Sequence, residues 1–464
     1  MSTASRDAWL AAVRRWKLHP DEPADERLWA PELEACSRDE LHAIQSEKLV
    51  PAVQYLYEHS PLYASLCAAC GIEPGDVTGR EQLADLPVVT KDDMSRSLAA
   101  AAPWGTYTAI DDERWLTDGW QVFATSGTTS QPRPFRYTQF DREMWTWADA
   151  RAVHAMGIRG GRDVGMMLFG YGPHVAMWGL HHALIHIGVP IVPAGGLDTR
   201  TRAASIDRYG PTVIGCTPSY ALHLASVMRD MGLDPAASPV RVVIAMGEPL
   251  PESSARRIRD LWDAEVHQFY GCTEAAPSCG GYTCTAGSVH FLEDTHVLET
   301  LDPKTLKPVA PGSPGVAVVT NLISEASPQV RFLVGDYTAL DHAGCACGRT
   351  HVVCEGGFTG RADDMLNVRG VTLFPSAVED VVRGFAELGE EFQIVLERRA
   401  ELDELILVAE PLPHVADDRH EELTLRLEGA FRARLELRPT IRLQPYGTLP
   451  KTEFKAKRVM DRRE

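Results

Sequence analysis

The period of apolar and polar positions changes along the chain, and the changes mark out its organisation. Ser37-Arg38-Asp39-Glu40 is a capping box, a serine followed three residues on by a glutamate, and it opens a helix predicted to run to about Tyr57. From about residue 118, short apolar runs alternate with helical segments. Val189-Pro190-Ile191-Val192, Thr212-Val213-Ile214-Gly215 and Val240-Arg241-Val242-Val243-Ile244-Ala245 read as strands, with helices over Ser219 to Met231 and Ser253 to Trp262. That βαβ alternation predicts an α/β fold with a mostly parallel, buried sheet.

After Asp336 the character changes. Gly344-Cys345-Ala346-Cys347-Gly348 makes a short knuckle, and Gly360-Arg361-Ala362-Asp363-Asp364 opens a new segment. Beyond it the pattern predicts a helix near Ser376 to Phe385 and strands at Phe392 to Leu396 and Leu405 to Val408. A long helix near Asp417 to Leu435 and a strand at Thr440 to Gln444 follow. These form a small α+β unit of about 100 residues, an ordinary domain size. The predicted organisation is a large N-terminal domain, residues 1–360, and a small C-terminal domain, residues 361–464.

Val164 to Leu197 carries no Asp, Glu, Lys or Arg. His174, His181, His182 and His186, with Pro173, Pro190 and Pro193, interrupt any membrane-spanning run, so the stretch reads as a buried strand, turn, helix and strand. No membrane partner is expected. Hydrophobic residues at 44% and charged residues at 24% are globular values and change little. Charge excludes more: 46 basic against 64 acidic residues give −18, which argues against a nucleic-acid partner. A single phosphate site needs only local donors, so nucleotide binding stays open. The ten cysteines, behind an N-terminus without a signal pattern, are expected to be reduced, either buried or metal-bound, in a cytoplasmic protein.

Candidate chemistry is concentrated in a few segments. Ala124-Thr125-Ser126-Gly127-Thr128-Thr129-Ser130-Gln131-Pro132 surrounds a glycine with hydroxyl and N–H donors suited to phosphate, although a polar surface turn has the same composition. The chain has no Gly-Lys pair, which argues against a Walker-type loop. Met246-Gly247-Glu248-Pro249 follows a predicted strand, where α/β sheets place ligand loops. Phe269-Tyr270-Gly271-Cys272-Thr273-Glu274 offers an aromatic face for adenine, a hydroxyl for phosphate and a carboxylate for magnesium. Val334-Gly335-Asp336 adds a carboxylate able to accept both hydroxyls of a ribose.

In this order the segments resemble the adenylate-forming superfamily of acyl-CoA synthetases, adenylation domains and luciferases, and within it the phenylacetate–CoA ligase branch. Thr125 to Pro132 is similar to its phosphate loop, Tyr270-Gly271-Cys272-Thr273-Glu274 to its Tyr-Gly-x-Thr-Glu, and Gly335-Asp336 to its ribose-binding pair. Gly360 to Pro375 is similar to its hinge and the start of its C-terminal lid, and Leu449 to Val459 to its lysine-bearing tail. The resemblance runs from about residue 40 to the end. It implies ATP- and Mg2+-dependent conversion of an aromatic carboxylic acid into an acyl-AMP, then transfer to CoA. Relatives of this kind are often homodimers.

By the same resemblance, Thr125, Ser126, Gly127, Thr128 and Thr129 hold the triphosphate, with Thr128 also catalytic. Gly247, Glu248, Pro249, Tyr270, Gly271, Thr273, Asp336 and Arg361 bind the rest of ATP, Glu274 holds Mg2+ and is also catalytic, and Asp363 is the pivot of the mobile lid. Lys455 would bridge the acid and the α-phosphate, where an ammonium offsets the repulsion of two anions being joined. Tyr171, His174 and Trp178, closed by the backbone of Met246-Gly247, occupy the place of the aryl pocket. The knuckle resembles a structural zinc site with Cys284, His290, Cys345 and Cys347 as ligands. Cys279 and Cys354 lie near it, and buried thiols without metal are the alternative.

Two positions depart from the pattern. Ser130-Gln131 stands where many relatives carry Gly-Lys, and Phe454 where a glycine normally precedes the lysine. Phe454 keeps open a biosynthetic enzyme that passes the acyl group to an amine, a hydroxyl or a carrier protein. A nucleotide-binding homologue without catalysis is the reading of a different class, against which Glu274, Asp336 and Lys455 argue together.

Overall fold

The computed structural model describes residues 4–17, 22–125, 131–275, 280–369, 371–399, 402–451 and 456–463. They fall into two units, each built from two stretches: Met1–Gly195 with His267–Gly357, and Gly196–Val266 with Phe358–Glu464.

In the first unit the helix expected from the capping box runs over Arg38–His59. Ser37 accepts from the Glu40 N–H, and the Glu40 carboxylate accepts from the Ser37 N–H at 2.9 Å. Leu41, Ile44, Leu49, Ala52, Val53 and Leu56 recur at helical spacing and are buried. Two buried polar groups on this helix are satisfied at long range. Gln45 donates to the Glu293 carbonyl at 2.8 Å, and Lys48 to the Asp294 carbonyl at 2.5 Å. They tie the helix to the turn after Val289–Phe291, a strand that carries His290.

The uncharged stretch forms the expected strand, helix and strand: Gly165–Met167, Val175–His186 and Ile191–Pro193. The two strands pair in parallel, Gly165 opposite Ile191. Among the described residues, no helix is long and apolar enough to cross a membrane.

Other strands of this unit depart from the expected parallel arrangement. His296–Leu301, Gly315–Asn321, Phe332–Asp341, Val353–Glu355, Val289–Phe291, Gly281–Thr283 and the end of Glu265–Tyr270 pair antiparallel, each with the next. No helix lies in the described connections between them, and a parallel pair needs a long crossover, usually helical.

The second unit holds the βαβ pattern. Val213–Cys216 and Val242–Ala245 pair in parallel, joined through the helix Pro218–Asp230, with Thr199–Tyr209 before and Glu252–Trp262 after. From Phe358 on, a hairpin, Leu366–Val368 with Val371–Leu373, precedes a four-stranded sheet. Its order is Thr440–Leu443, Leu402–Pro411, Leu388–Arg399, Val459–Arg462, with an antiparallel central pair and parallel outer pairs. Phe392, Ile394 and Leu396 alternate along one strand and share a core with Val378 and Val381 of the helix Pro375–Arg383. Leu423, Leu427 and Phe431 of the helix His420–Leu435 complete it. The α/β class expected from the sequence is the class observed.

Candidate active site

The strands Gly119–Ala124 and Pro134–Thr138 form an antiparallel hairpin with Ala124 opposite Pro134. Just beyond that pair, the Thr125 N–H donates to the Arg133 carbonyl at 3.1 Å, and the Arg133 N–H to the Thr125 hydroxyl at 3.0 Å. Both ends of the candidate phosphate loop are thereby fixed. Ser126, Gly127, Thr128 and Thr129 within it lie outside the described residues.

The hairpin is joined to the Tyr-Gly-Cys-Thr-Glu segment twice. Tyr137 donates to the Thr273 carbonyl at 2.7 Å, and the Arg133 guanidinium to the Glu274 carboxylate at 2.7 Å. The Arg133 and Glu274 side chains are only 8% and 9% exposed, so this is a charge-assisted bond in a desolvated setting. At the other end of the segment the Tyr270 hydroxyl meets the Asp336 carboxylate at 2.5 Å. Gly335, beside it, has φ +87°, a conformation that side-chain-bearing residues rarely adopt. The structure thus brings Thr125, Thr273 and Glu274 together through Arg133 and Tyr137, and pairs Tyr270 with Asp336; Gly271 lies between these groups in the chain. Arg133 was not singled out by sequence reasoning, because its partner is 141 positions away.

Tyr171, His174 and Trp178 flank the start of the helix Val175–His186, of which His174 is the N-cap. The Ala124 N–H donates to the Pro173 carbonyl at 2.8 Å, linking this segment to the hairpin. Tyr171 and Trp178 meet edge to face at 5.1 Å, and the Trp178 N–H donates to the Gly172 carbonyl at 3.1 Å. Two histidines left unassigned on sequence complete the cluster. His181 Nδ1 lies 2.9 Å from the Tyr171 hydroxyl, and the His182 ring stacks on Trp178 at 6.1 Å. Both follow Trp178 at helical spacing, a signal that was present in the sequence. Burial pushes the Tyr171 phenol up to about 12 and the His182 imidazole down to about 4.

In the second unit Met246 is buried, its N–H donating to the Cys216 carbonyl at 3.0 Å, and Gly247 has φ +81°. The Glu248 carboxylate accepts from the Ser219 hydroxyl and N–H and from the Ala456 N–H. Pro249 follows, exposed. Arg361 lies 3.7 Å from Asp363, both exposed, a pair of small energetic weight. Lys455 and Phe454 lie outside the described residues.

A separate cluster in the first unit gathers Cys284, His290, Cys345 and Cys347, whose candidate ligand atoms all lie within 4.8 Å of one another. Cys284 Sγ is 3.8 Å from Cys345 Sγ, and Cys347 Sγ is 3.3 Å from His290 Nε2. His290 Nδ1 is 3.0 Å from the His351 carbonyl, which fixes the tautomer that turns Nε2 toward the sulfurs. The Cys284 thiol, with His290 beside it, draws the Cys347 thiol far below the usual range, while Cys284 itself is pushed up. Three sulfurs and an imidazole at this spacing fit a tetrahedral zinc ion. Cys279 lies outside the described residues, and Cys354 is buried without joining the set.

Comparison with known proteins adds the following. The family described as AMP-binding enzyme matches residues 70–321, and the AMP-binding enzyme C-terminal domain matches residues 370–463. Phenylacetate-coenzyme A ligase of Thermus thermophilus is 33% identical over 94% of this chain and 100% of its own length. The enzyme of the same name from Pseudomonas putida is 31% identical over 95% of this chain and 98% of its own. Among solved structures, 2-hydroxyisobutyryl-CoA ligase in the postadenylation state, in complex with R3-HIB-AMP, superposes with TM-score 0.89. It is 28% identical, over 95% of this chain and 93% of that one.

Proposed function

This chain belongs to the AMP-binding enzyme family, in its phenylacetate–CoA ligase branch, and on that premise we propose which acid it takes and which residues do the work. The reaction class is that of an ATP-dependent acid–CoA ligase acting through an acyl-adenylate. In our reading the acid is aromatic, phenylacetate or a close analogue. The observation that carries this is the ring pair of Tyr171 and Trp178, braced at 5.1 Å and anchored by His181. Relatives named as phenylacetate ligases support it. A short hydroxy acid is the rival, favoured by the likeness to 2-hydroxyisobutyryl-CoA ligase and by the polar Tyr171–His181 pair, which suits a substrate hydroxyl.

The chain's own residues divide the work as follows. Thr125 and Arg133 close the base of the loop whose Thr128 and Thr129 take the triphosphate. Asp336 receives the ribose hydroxyls beside Tyr270, and Arg361 and the Gly247–Pro249 backbone take further nucleotide contacts. Glu274, held by Arg133, would hold Mg2+, a hard cation suited to carboxylate that would supply neutralisation of the phosphate charge. The acid's carboxylate oxygen bonds to the α-phosphorus while the bond to pyrophosphate breaks, and the Lys455 ammonium offsets the repulsion between them. CoA sulfur then bonds to the acyl carbon, its thiol proton passing to solvent, and AMP leaves. Asp363 is the pivot between the two steps, which lets one site serve both.

We assign a structural Zn2+ to Cys284, His290, Cys345 and Cys347, since four protein ligands leave a tetrahedral ion no position for water. A reducing cytoplasm, where these thiols stay available, is the compartment this reading requires. Acid-dependent ATP–pyrophosphate exchange tests the substrate proposal. Phenylacetate and ring-bearing analogues are expected to exceed 2-hydroxyisobutyrate and acetate in kcat/KM by about tenfold or more, roughly the worth of burying a ring. A preference for 2-hydroxyisobutyrate overturns the aromatic reading, and no exchange with any acid overturns the assignment of these residues.

A further inference from the structure

The Glu248 carboxylate, in a motif expected to contact ATP, is engaged by groups of its own unit. One carboxylate serves two separate parts of the second unit. It accepts from the Ser219 hydroxyl at 2.7 Å and the Ser219 N–H at 3.2 Å, in the first turn of the helix Pro218–Asp230, an end that favours an anion. It also accepts from the N–H of Ala456 at 2.8 Å. Ala456 directly follows Lys455.

The surroundings make this bond a docking point. On one side the Glu248 backbone is set by Gly247 at φ +81°. On the other, the chain after Ala456 is held by the Ile394 N–H donating to the Arg458 carbonyl at 2.7 Å, where the edge strand Val459–Arg462 begins to pair. The helix that follows Glu248 makes further polar links to the same C-terminal part. Ser254 donates to Glu379 at 3.0 Å and Arg257 to Glu390 at 3.1 Å.

We propose that Glu248 is a positioning residue for the adenylation step, acting by docking the backbone N–H of Ala456, the residue that follows Lys455 in the sequence. This rests on Lys455 serving that step. A nucleotide contact at this turn then falls to the backbone of Gly247 and Pro249, not to the Glu248 carboxylate. The Glu248 contact is one hydrogen bond to a single residue, made alongside the Ser254–Glu379 and Arg257–Glu390 links, and it is broken with them if the lid turns. Glu248 therefore matters for the first half-reaction far more than for the second.

The test measures the two half-reactions separately in the full-length enzyme: pyrophosphate exchange, and thioester formation from acyl-AMP prepared chemically. Glu248→Ala is expected to lower kcat for exchange about tenfold or more, the scale of one hydrogen bond to a charged group, with KM for ATP little changed. Glu248→Gln, which keeps an acceptor oxygen, restores most of it. Ala456→Pro removes the donor N–H from the other side, and its loss should not add to that of Glu248→Ala, since both break the same bond. A raised KM for ATP with kcat unchanged, equal losses in both half-reactions, or fully additive losses overturns the proposal. Lys455→Ala run alongside separates the premises. If it leaves exchange intact, the reading of Lys455 fails; if it abolishes exchange while Glu248→Ala and Ala456→Pro are silent, only the docking role fails.

Discussion

The cysteine–histidine cluster and the aromatic cluster around Tyr171 lie in the same unit but are held in opposite ways. In the first, the backbone does the holding. Cys284 donates its N–H to the Ser288 carbonyl at 2.9 Å, Gly348 to the Cys345 carbonyl at 3.0 Å, and the His351 carbonyl orients His290. In the second, side chains mostly hold one another, Tyr171 through His181 and Trp178 through the His182 ring. A backbone-held donor set admits one kind of occupant, whereas a ring-held wall changes shape with a single substitution. On our proposal, variants in the first region change stability and variants in the second change the choice of acid.

The largest effect expected from this contrast is at the proposed zinc site. Cys347→Ser or prolonged chelation should remove about one zinc per chain and cost several kcal/mol of stability, since metal binding contributes directly to folding. Thermal unfolding and metal analysis check it, and activity should fall alike for every acid. An unchanged melting temperature in Cys347→Ser would leave the cluster as packed thiols. Next comes Arg133→Met, which strands the Glu274 carboxylate in a desolvated place; breaking such a pair costs about 3–5 kcal/mol. Denaturant unfolding reads the loss, and pyrophosphate exchange should drop with it. A smaller effect is expected from Tyr171→Ala. Acid preference should shift by about tenfold, from the loss of a ring contact and the release of His181, with the metal retained. A uniform loss across all acids would place Tyr171 with the scaffold instead.

The smallest effect is pH-dependent. Burial holds His182 near 4, below the value of about 6.5 that it takes when unfolded. Because the unfolded chain binds the proton more readily, stability is complete above about 6.5 and is lost as pH falls toward 4. His182 is partly exposed, so its share is on the order of 1 kcal/mol after screening. His182→Phe should flatten the fall in melting temperature between pH 7 and pH 5 without releasing metal. A slope identical to the parent's would assign the loss to other groups.

What the sequence revealed follows the same division. Helix Arg38–His59 and the strand–helix–strand of Val164 to Leu197 were legible because caps, periodicity and charge are local signals. The four candidate metal ligands were legible because Cys and His are specific chemistry. The antiparallel run was not, since Gly281–Thr283, Val289–Phe291 and Val353–Glu355 are three-residue strands, too short to show a period. Arg133 was invisible because its meaning comes from Glu274, far along the chain. Glu248 was read from its motif neighbours, and only the fold shows its carboxylate turned to Ser219 and Ala456.

The central claim is that the acid's own oxygen bonds to the α-phosphorus of ATP. Phenylacetate labelled with 18O in its carboxylate, incubated with enzyme, ATP, Mg2+ and CoA, tests it directly by mass spectrometry of the products. The account requires one labelled oxygen in AMP, with unlabelled pyrophosphate released and phenylacetyl-CoA formed. Label in inorganic phosphate, with ADP as the nucleotide product, would contradict it.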